Sequence, residues 1–355
     1  MSKVAATTRV MMAYPAQMGG SRYHRLHVPA MALRMAGMTV TVVPDLLDVS
    51  VDEMAKHDVV IVNNTLTDKA VLAHRNKRGT IDLLEHPQAK MWQVLENIRK
   101  ADVRVIVDMD DTWNFPSIHP GYAHYMLCQQ REATILGITE ADAVWCSTLP
   151  LLHDVQKLNT AAIHIPNGIS HLDTQWHDLK KQETVNMLRI GVGAMYTSEM
   201  NLPRLREAIH AMRKMQHWVL VAMGVNDERR AKVARALHCD RIIFLPVADA
   251  TAYAQYYAHI DLLLCPLTHN VFNMYRSDIK VAECAYSDTA VLCEDHGPYH
   301  KSHFATKNWH TDLPALVKQW ATDRTVLKPH TPMRLGYGTA MADAERVKCI
   351  EQLVK

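Results

Sequence analysis

The chain has 355 residues, 48% of them hydrophobic, which is enough for two domains with cores of ordinary size. Its 39 lysines and arginines nearly balance 37 aspartates and glutamates, so no global field demands a polyanionic partner. Seven cysteines without a C-x-x-C pair, and 21 scattered histidines without an H-E-x-x-H run, argue against a structural zinc site and predict reduced thiols in the core.

Apolar runs predict strands at 9–14, 39–43, 59–62, 103–107, 143–146 and 162–165, with amphipathic helical patterns at 28–36 and 90–100. The N-terminus runs into its first strand with no signal-peptide h-region. No apolar stretch approaches the roughly 20 residues that span a bilayer, so a soluble, cytoplasmic protein is expected. After an interval at 171–186 rich in charge and histidine, the series restarts. Strands are predicted at 188–192, 218–222, 242–245, 262–265 and 290–293, and helices at 202–215, 228–237 and 252–258. Residues 328–338 are punctuated by Pro and Gly, and 339–354 reads as one last helix. Strand–helix alternation with near-continuous apolar strands predicts α/β architecture with parallel sheets covered on both faces. The expected division is two Rossmann-like doubly wound domains, 1–170 and 171–338, with a cleft between them and a C-terminal helix at 339–355.

Five segments carry chemistry. Gly19-Gly20-Ser21-Arg22-Tyr23-His24-Arg25 follows the first strand. Its glycines would let backbone approach a ligand, and the following helix start favours anions. It is not G-x-G-x-x-G, so a nicotinamide fingerprint is absent; the alternative is a simple turn. His74-Arg75-Asn76-Lys77-Arg78-Gly79 is a basic loop. It reads as a solvated face, or as an arm by which Arg75, Lys77 and Arg78 meet an anion such as DNA or a lipid head group. Asp108-Met109-Asp110-Asp111-Thr112-Trp113 sits at the end of the strong strand 103–107. Its carboxylates could orient a hydroxyl, raise one another's pKa for general-base work, ligate a divalent metal, or merely cap a turn. Asp110 or Asp111 acting on a hydroxyl is preferred to metal binding. Trp113, His119, Tyr122 and His124 follow in a loop able to stack on and hydrogen-bond a sugar or base, with core packing the alternative for Trp113. Pro166-Asn167-Gly168 suits positive φ in a tight turn and should shape the approach to the second domain.

The fifth segment spans Asp261 to Glu283. A strand at 262–265 breaks at Pro266, a polar loop follows, and Ser277 is placed to cap a helix carrying Lys280 and Glu283 on one face. Arg276 and Lys280 would hold a diphosphate at a helix start, and Glu283 would accept from ribose hydroxyls. The alternative is a capped surface helix with an ordinary ion pair.

The Ile165–Ile169 run IPNGI, a second Rossmann half, and the pattern P-x-x-x-N-x-F-N-x-x-R-S-x-x-K-x-x-E from Pro266 to Glu283 together resemble GT-B-fold glycosyltransferases. The likeness is closest to the large retaining group that uses nucleotide-sugar donors. It implies a nucleotide-sugar donor, a UDP-sugar by preference, bound mainly on the C-terminal domain, with no obligatory metal. Residue by residue it implies that Glu283 binds ribose, while Arg276 and Lys280 face the leaving diphosphate and act in catalysis; Asp110 and Asp111 join them as catalytic candidates on the reading of their own segment. Gly19, Gly20, Arg25, Gly193, Ser277 and Asp278 would complete the donor side. Trp113, His119, His124, Arg75, Lys77 and Arg78 would lie on the acceptor side. Two departures stand out. Tyr275 occupies the place of a first glutamate, and the loop Gly193–Glu199 lacks the Arg and Lys that many members carry. Diphosphate neutralisation would then fall on Arg276, Lys280, backbone N–H groups and Arg25. The expected acceptor is a saccharide or glycoconjugate, or a hydroxymethylated pyrimidine in DNA. The alternatives are a non-catalytic nucleotide- or sugar-binding protein and a nucleotide-sugar epimerase.

Overall fold

The computed structural model describes residues 8–14, 20–64, 66, 74–75, 81–82, 87–127, 129–176, 179–182, 186–193, 196–327 and 337–355. The apolar runs of the first half form β1 (Arg9–Ala13), β2 (Thr39–Val43), β3 (Val59–Asn63), β4 (Arg104–Met109), β5 (Ala143–Cys146) and β6 (Ala162–His164). They lie in one parallel sheet, ordered β2-β1-β3-β4-β5-β6. Alternate side chains serve opposite faces. Met11, Val60, Val62, Val105 and Val107 meet Met91, Val94 and Ile98 of helix α2 (Pro87–Ala101). Val10, Met12, Ile61, Ile106 and Trp145 meet Ala30 and Leu33 of helix α1 (Val28–Met35). Both faces are covered at the centre of the sheet, so β3 and β5 are fully buried and nearly continuous apolar runs, whereas the edge strand β2 alternates Thr and Val and is only partly buried.

The second half repeats the plan with β7 (Leu188–Gly193), β8 (Trp218–Met223), β9 (Ile242–Leu245), β10 (Leu262–Cys265), β11 (Ala290–Glu294) and β12 (Ala305–Thr306). This sheet is parallel too, ordered β9-β8-β7-β10-β11-β12. Each sheet reverses strand order once, between β1 and β3 and between β7 and β10. Ligands of open α/β sheets collect at such switch points, outside the carboxyl ends of the strands.

Several elements differ from their sequence patterns. The helix predicted at 202–215 contracts to Arg206–Met212, and a 3₁₀ stretch at Tyr196–Leu205 precedes it. Pro203 lies within that stretch and has no N–H to give an α-helix. The helix before β2 opens as Gly20–Arg22, widens to a π-turn at Tyr23–His27, and only then becomes α1. Strand β12 and the helix Trp309–Thr322 carried no anticipated signal. The final helix, Ala340–Leu353, belongs by its packing to the first sheet, since Ala342 and Ile350 join the core of the α1 face. Among the described residues, no helix is long and apolar enough to cross a membrane.

The chain crosses between the two sheets at Ile165–Ile169 and returns at 337–339. The crossings pair: Ile169 N–H donates to the Tyr337 carbonyl at 2.9 Å, and a parallel bridge joins Ile169 to Gly338. Gly168 does not adopt the positive φ that an Asn-Gly pair suggests. Its glycine is required by close approach, because a Cβ there would lie 2.5 Å from the Tyr337 carbonyl oxygen.

Candidate active site in the interdomain cleft

Beyond β10 the chain runs from Pro266 through a loop and the short helix Val271–Met274 to the helix Ile279–Tyr286. The loop is tied down from within. Asn201 Oδ1 accepts from the Thr268 N–H at 2.9 Å and from Asn273 Nδ2 at 3.0 Å, and Asn273 is wholly buried. Gly297, at φ +57°, braces the loop from behind; a Cβ there would lie 2.4 Å from the Asn273 carbonyl oxygen.

The helix Ile279–Tyr286 starts one residue later than the sequence suggests. Asp278, not Ser277, occupies its N-cap position, and no side chain caps it. The Ser277 hydroxyl instead accepts from Asn167 Nδ2 at 2.7 Å, which ties the helix start to the domain crossing. The Asp278 carboxylate is held by the Tyr337 hydroxyl at 2.6 Å. Tertiary contacts have claimed both capping side chains, so the first turn has no side-chain cap; the Val281 N–H turns back to the Asp278 carbonyl at 2.8 Å, and the turn's remaining N–H groups point toward a position that favours an anion.

Lys280 and Glu283 share one face of this helix at 2.7 Å. Glu283 is 2% exposed and receives Lys280 and the Tyr257 hydroxyl on one oxygen. His24, from the first domain, lies 3.6 Å from its other oxygen. Burial disfavours the Glu283 charge, but Lys280 and His24 outweigh it and hold the carboxyl well below the usual range. Burial likewise opposes the Lys280 charge, while Glu283 and Tyr253 more than restore it and raise its pKa. The Lys280 ammonium sits 4.5 Å over the Tyr253 ring and also bonds that hydroxyl. Two of its three donors are thus engaged, and among the described residues the third has no hydrogen-bond partner.

Across the cleft, the carboxylates after β4 separate into different roles. Asp108 is wholly buried and receives both Nε and Nη2 of Arg25, at 2.7 and 3.0 Å. Arg25 also donates to the Ile165 carbonyl at 2.6 Å and to Asn167 Oδ1 at 2.9 Å. Four of its five N–H groups are thereby used in a fully buried site. Arg25 is therefore a clamp on the domain crossing rather than the exposed cation expected beside a diphosphate. Asp110 accepts from Asn63 Nδ2 at 3.1 Å and Asn64 Nδ2 at 2.7 Å. Asp111 faces the second domain. Burial and the Asp110 charge push its carboxyl up to about 7, with Arg276 pulling the other way. Among the described residues, no group of three His, Cys, Asp or Glu side chains is placed to hold a metal ion.

Arg276 stacks 5.9 Å over Phe272, and its charge reaches Asp111 and His119. His119 is 5% exposed and packs against Phe115 and Phe272, with ring centroids 4.4 and 4.8 Å away. Its Nδ1 accepts from the Gly121 N–H at 3.1 Å, and its Nε2 has no partner among the described residues. Burial and Arg276 both lower its pKa, so the ring is neutral. Trp113, expected at the acceptor, is instead in the core of the α2 face at 8% exposure. Gly20 opens its helix with open space at the Cβ position, and Gly193 ends β7 with the same freedom. Gly19, Lys77 and Arg78 lie outside the described residues, as do the side chains of Arg75 and His124.

The structure thus brings together Lys280, Glu283 and His24 in one group, and Arg276, Asp110, Asp111 and His119 within electrostatic reach of one another in a second. Sequence reasoning did not single out His24, Asn63, Asn64, Phe115, Phe272, Tyr253 or Tyr257. Asn63 and Asn64 carried a legible signal, as a polar pair ending an apolar strand, and Asn64 adopts φ +60°. A separate open basin of about 650 Å³, lined by Arg213, Arg235, His238 and Arg241, lies where β8 and β9 begin. That is the end of the sheet opposite the switch point.

No protein-family model matches the chain by sequence, and no curated protein does. Solved structures match it by shape. An α-glucosyltransferase solved with UDP and a DNA 13-mer containing an HMU base aligns with a TM-score of 0.64 at 11% identity, covering 97% of this chain and 99% of that one. Anabaena HepE, solved with UDP and glucose, aligns at 0.63 and 9% identity, covering 97% and 100%. A proposed UDP-N-acetylglucosamine 2-epimerase of Listeria monocytogenes aligns at 0.54 and 13% identity, covering 98% and 96%. At these identities the likeness establishes architecture alone: two Rossmann-like domains in the GT-B arrangement.

Proposed function

We propose that the protein is a glycosyltransferase that moves a sugar from a nucleotide-sugar donor, a UDP-sugar by preference, to an acceptor hydroxyl with retention. The observation that carries this reading is the uncapped start of the helix Ile279–Tyr286, with Lys280 and Glu283 on one face and Arg276 just before it. Glu283 would take the ribose hydroxyls on the oxygen that His24 approaches. The remaining Lys280 donor, the helix N–H groups and Arg276 would stabilise charge developing on the departing diphosphate. Asp111, with its carboxyl near neutrality, would receive the acceptor proton. His24, reaching Glu283 from the first domain, would link donor binding to domain closure and exclude water.

The test is UDP release and product mass with a panel of UDP-sugars. Lys280→Ala should lower kcat by about 10²–10³-fold, the scale of losing one preorganised donor to developing charge, and weaken UDP binding far less. Glu283→Ala should chiefly raise the donor KM. Equal loss of turnover and UDP affinity in Lys280→Ala would overturn its role. The epimerase reading draws support from the Listeria likeness. Acceptor-free conversion of one UDP-sugar into its epimer, followed by NMR, would establish that reading instead.

A further inference from the structure

We infer that Asp173 is a positioning residue for Glu283, fixing the partners of both Glu283 oxygens from one buried anchor between the domains. The inference rests on the reading of Glu283 as the ribose-binding group and adds what holds that group in place. Six side chains form a closed ring of contacts. Glu283 Oε1 faces His24 Nε2 at 3.6 Å. The His24 ring meets the Tyr23 ring edge-on, with centroids 5.5 Å apart and planes at 87°. The Tyr23 hydroxyl donates to Asp173 Oδ1 at 2.8 Å, and the Trp176 indole N–H donates to Asp173 Oδ2 at 3.0 Å. The Trp176 and Tyr257 rings meet at 5.4 Å and 60°, and the Tyr257 hydroxyl donates to Glu283 Oε2, which closes the ring. Asp173, Tyr23, Trp176, Tyr257 and Glu283 are each 4% exposed or less, so these contacts are shielded from water.

Local structure explains how one residue reaches both arms. Asp173 follows the domain crossing and precedes the 3₁₀ turn Thr174–Trp176, which folds the Trp176 indole back onto the carboxylate. The other arm comes from the π-turn Tyr23–His27. A π-turn gives up regular α-helical bonding and is frequent at functional sites. Here it turns Tyr23 toward Asp173 and its neighbour His24 toward Glu283. The donors to Asp173 among the described residues are neutral: Tyr23, Trp176, and Gln175 at 3.2 Å. Burying a carboxylate on neutral partners is costly, and an apolar side chain would fasten the linker at less cost. An apolar side chain would give no direction. Charge-assisted hydrogen bonds hold each donor arm at a set angle. Without the Tyr23 bond the His24 ring loses its backing, and without the Trp176 bond Tyr257 loses its own.

The test is calorimetric titration of the full chain with UDP, with a melting temperature recorded for every variant. Tyr23→Phe keeps the ring against His24 and removes only the hydroxyl. It should weaken UDP binding by about three- to tenfold, the scale of one net hydrogen bond. That arm acts through His24, so Tyr23→Phe combined with His24→Ala should bind UDP as His24→Ala does. Asp173→Asn sets an amide N–H against one arm's donor. It should weaken UDP more than Tyr23→Phe, and should keep part of its effect in the His24→Ala background through the Trp176 arm. A mere fastener of the linker would lower the melting temperature, with losses that multiply with that of His24→Ala. UDP affinity unchanged in both single variants, or a Tyr23→Phe loss that multiplies in full with that of His24→Ala, would overturn the inference. UDP affinity unchanged in Glu283→Ala would instead overturn the donor reading beneath it.

Discussion

Asp108 and Asp111 stand three residues apart at the end of β4 and have opposite fates. Asp108 is neutralised by a bidentate arginine; Asp111 looks across the cleft and keeps its carboxyl near pH 7. This makes Asp111 testable by pH. Between the ordinary carboxyl value of 3.8 and about 7, the folded chain keeps a proton that the unfolded chain has released. Its contribution to stability is therefore full below about pH 4 and lost as pH rises through about 7. Asp111→Asn should remove that part of the slope, so that its urea midpoint falls less between pH 5 and pH 8 than that of the parent. As a base Asp111 must be unprotonated, so kcat/KM should rise through about pH 7, and the Asn variant should lose about 10²–10⁴-fold in kcat together with that limb. An Asn variant that retained the limb would assign it to another group. Residue type and position made Asp111 legible as a chemical candidate. Only packing distinguished it from Asp108, because the two are chemically identical in the chain.

The elements nearest the cleft are those in which local rules yield to tertiary contacts. Ser277 has the chemistry of a helix cap, but Asn167 takes its hydroxyl, and the helix starts at Ile279 with no side-chain cap. IPNGI reads as a turn and is in fact half of a paired crossing, clamped by Arg25 and pressed against Tyr337. Gly168→Ala would place a Cβ 2.5 Å from the Tyr337 carbonyl oxygen and 3.2 Å from Thr339 Cγ2. Forcing the crossings apart should cost about 1–3 kcal/mol, read as a lower urea midpoint. A midpoint unchanged from the parent would show that the crossings separate freely. The central strands are legible almost to the residue, because a strand buried on both faces is apolar at nearly every position, while the two-residue β12 is too short to leave a pattern.

At the scale of the whole molecule, the segment Phe272–Ser277 joins the two domains. It meets Phe115 and His119 through Phe272, Thr148 and Asp154 through Tyr275, and Asn167 through Ser277. His24 adds a direct approach from the first domain to Glu283. His24→Ala should therefore raise the donor KM by about three- to tenfold, the scale of one net hydrogen bond, and increase the share of donor lost to water. An unchanged ratio of hydrolysis to transfer would remove His24 from closure. By itself the sequence determined the two parallel α/β halves, the restart in mid-chain, and the Arg276, Lys280 and Glu283 constellation. Periodicity and i, i+3 spacing are properties of neighbouring residues and need no partner to be visible. The tertiary structure alone decided that Arg25 is a buried clamp, that Trp113 belongs to the core, and that His24 faces Glu283. Each of these depends on residues tens to hundreds of positions apart, and a contact at that separation leaves no periodic trace in the chain.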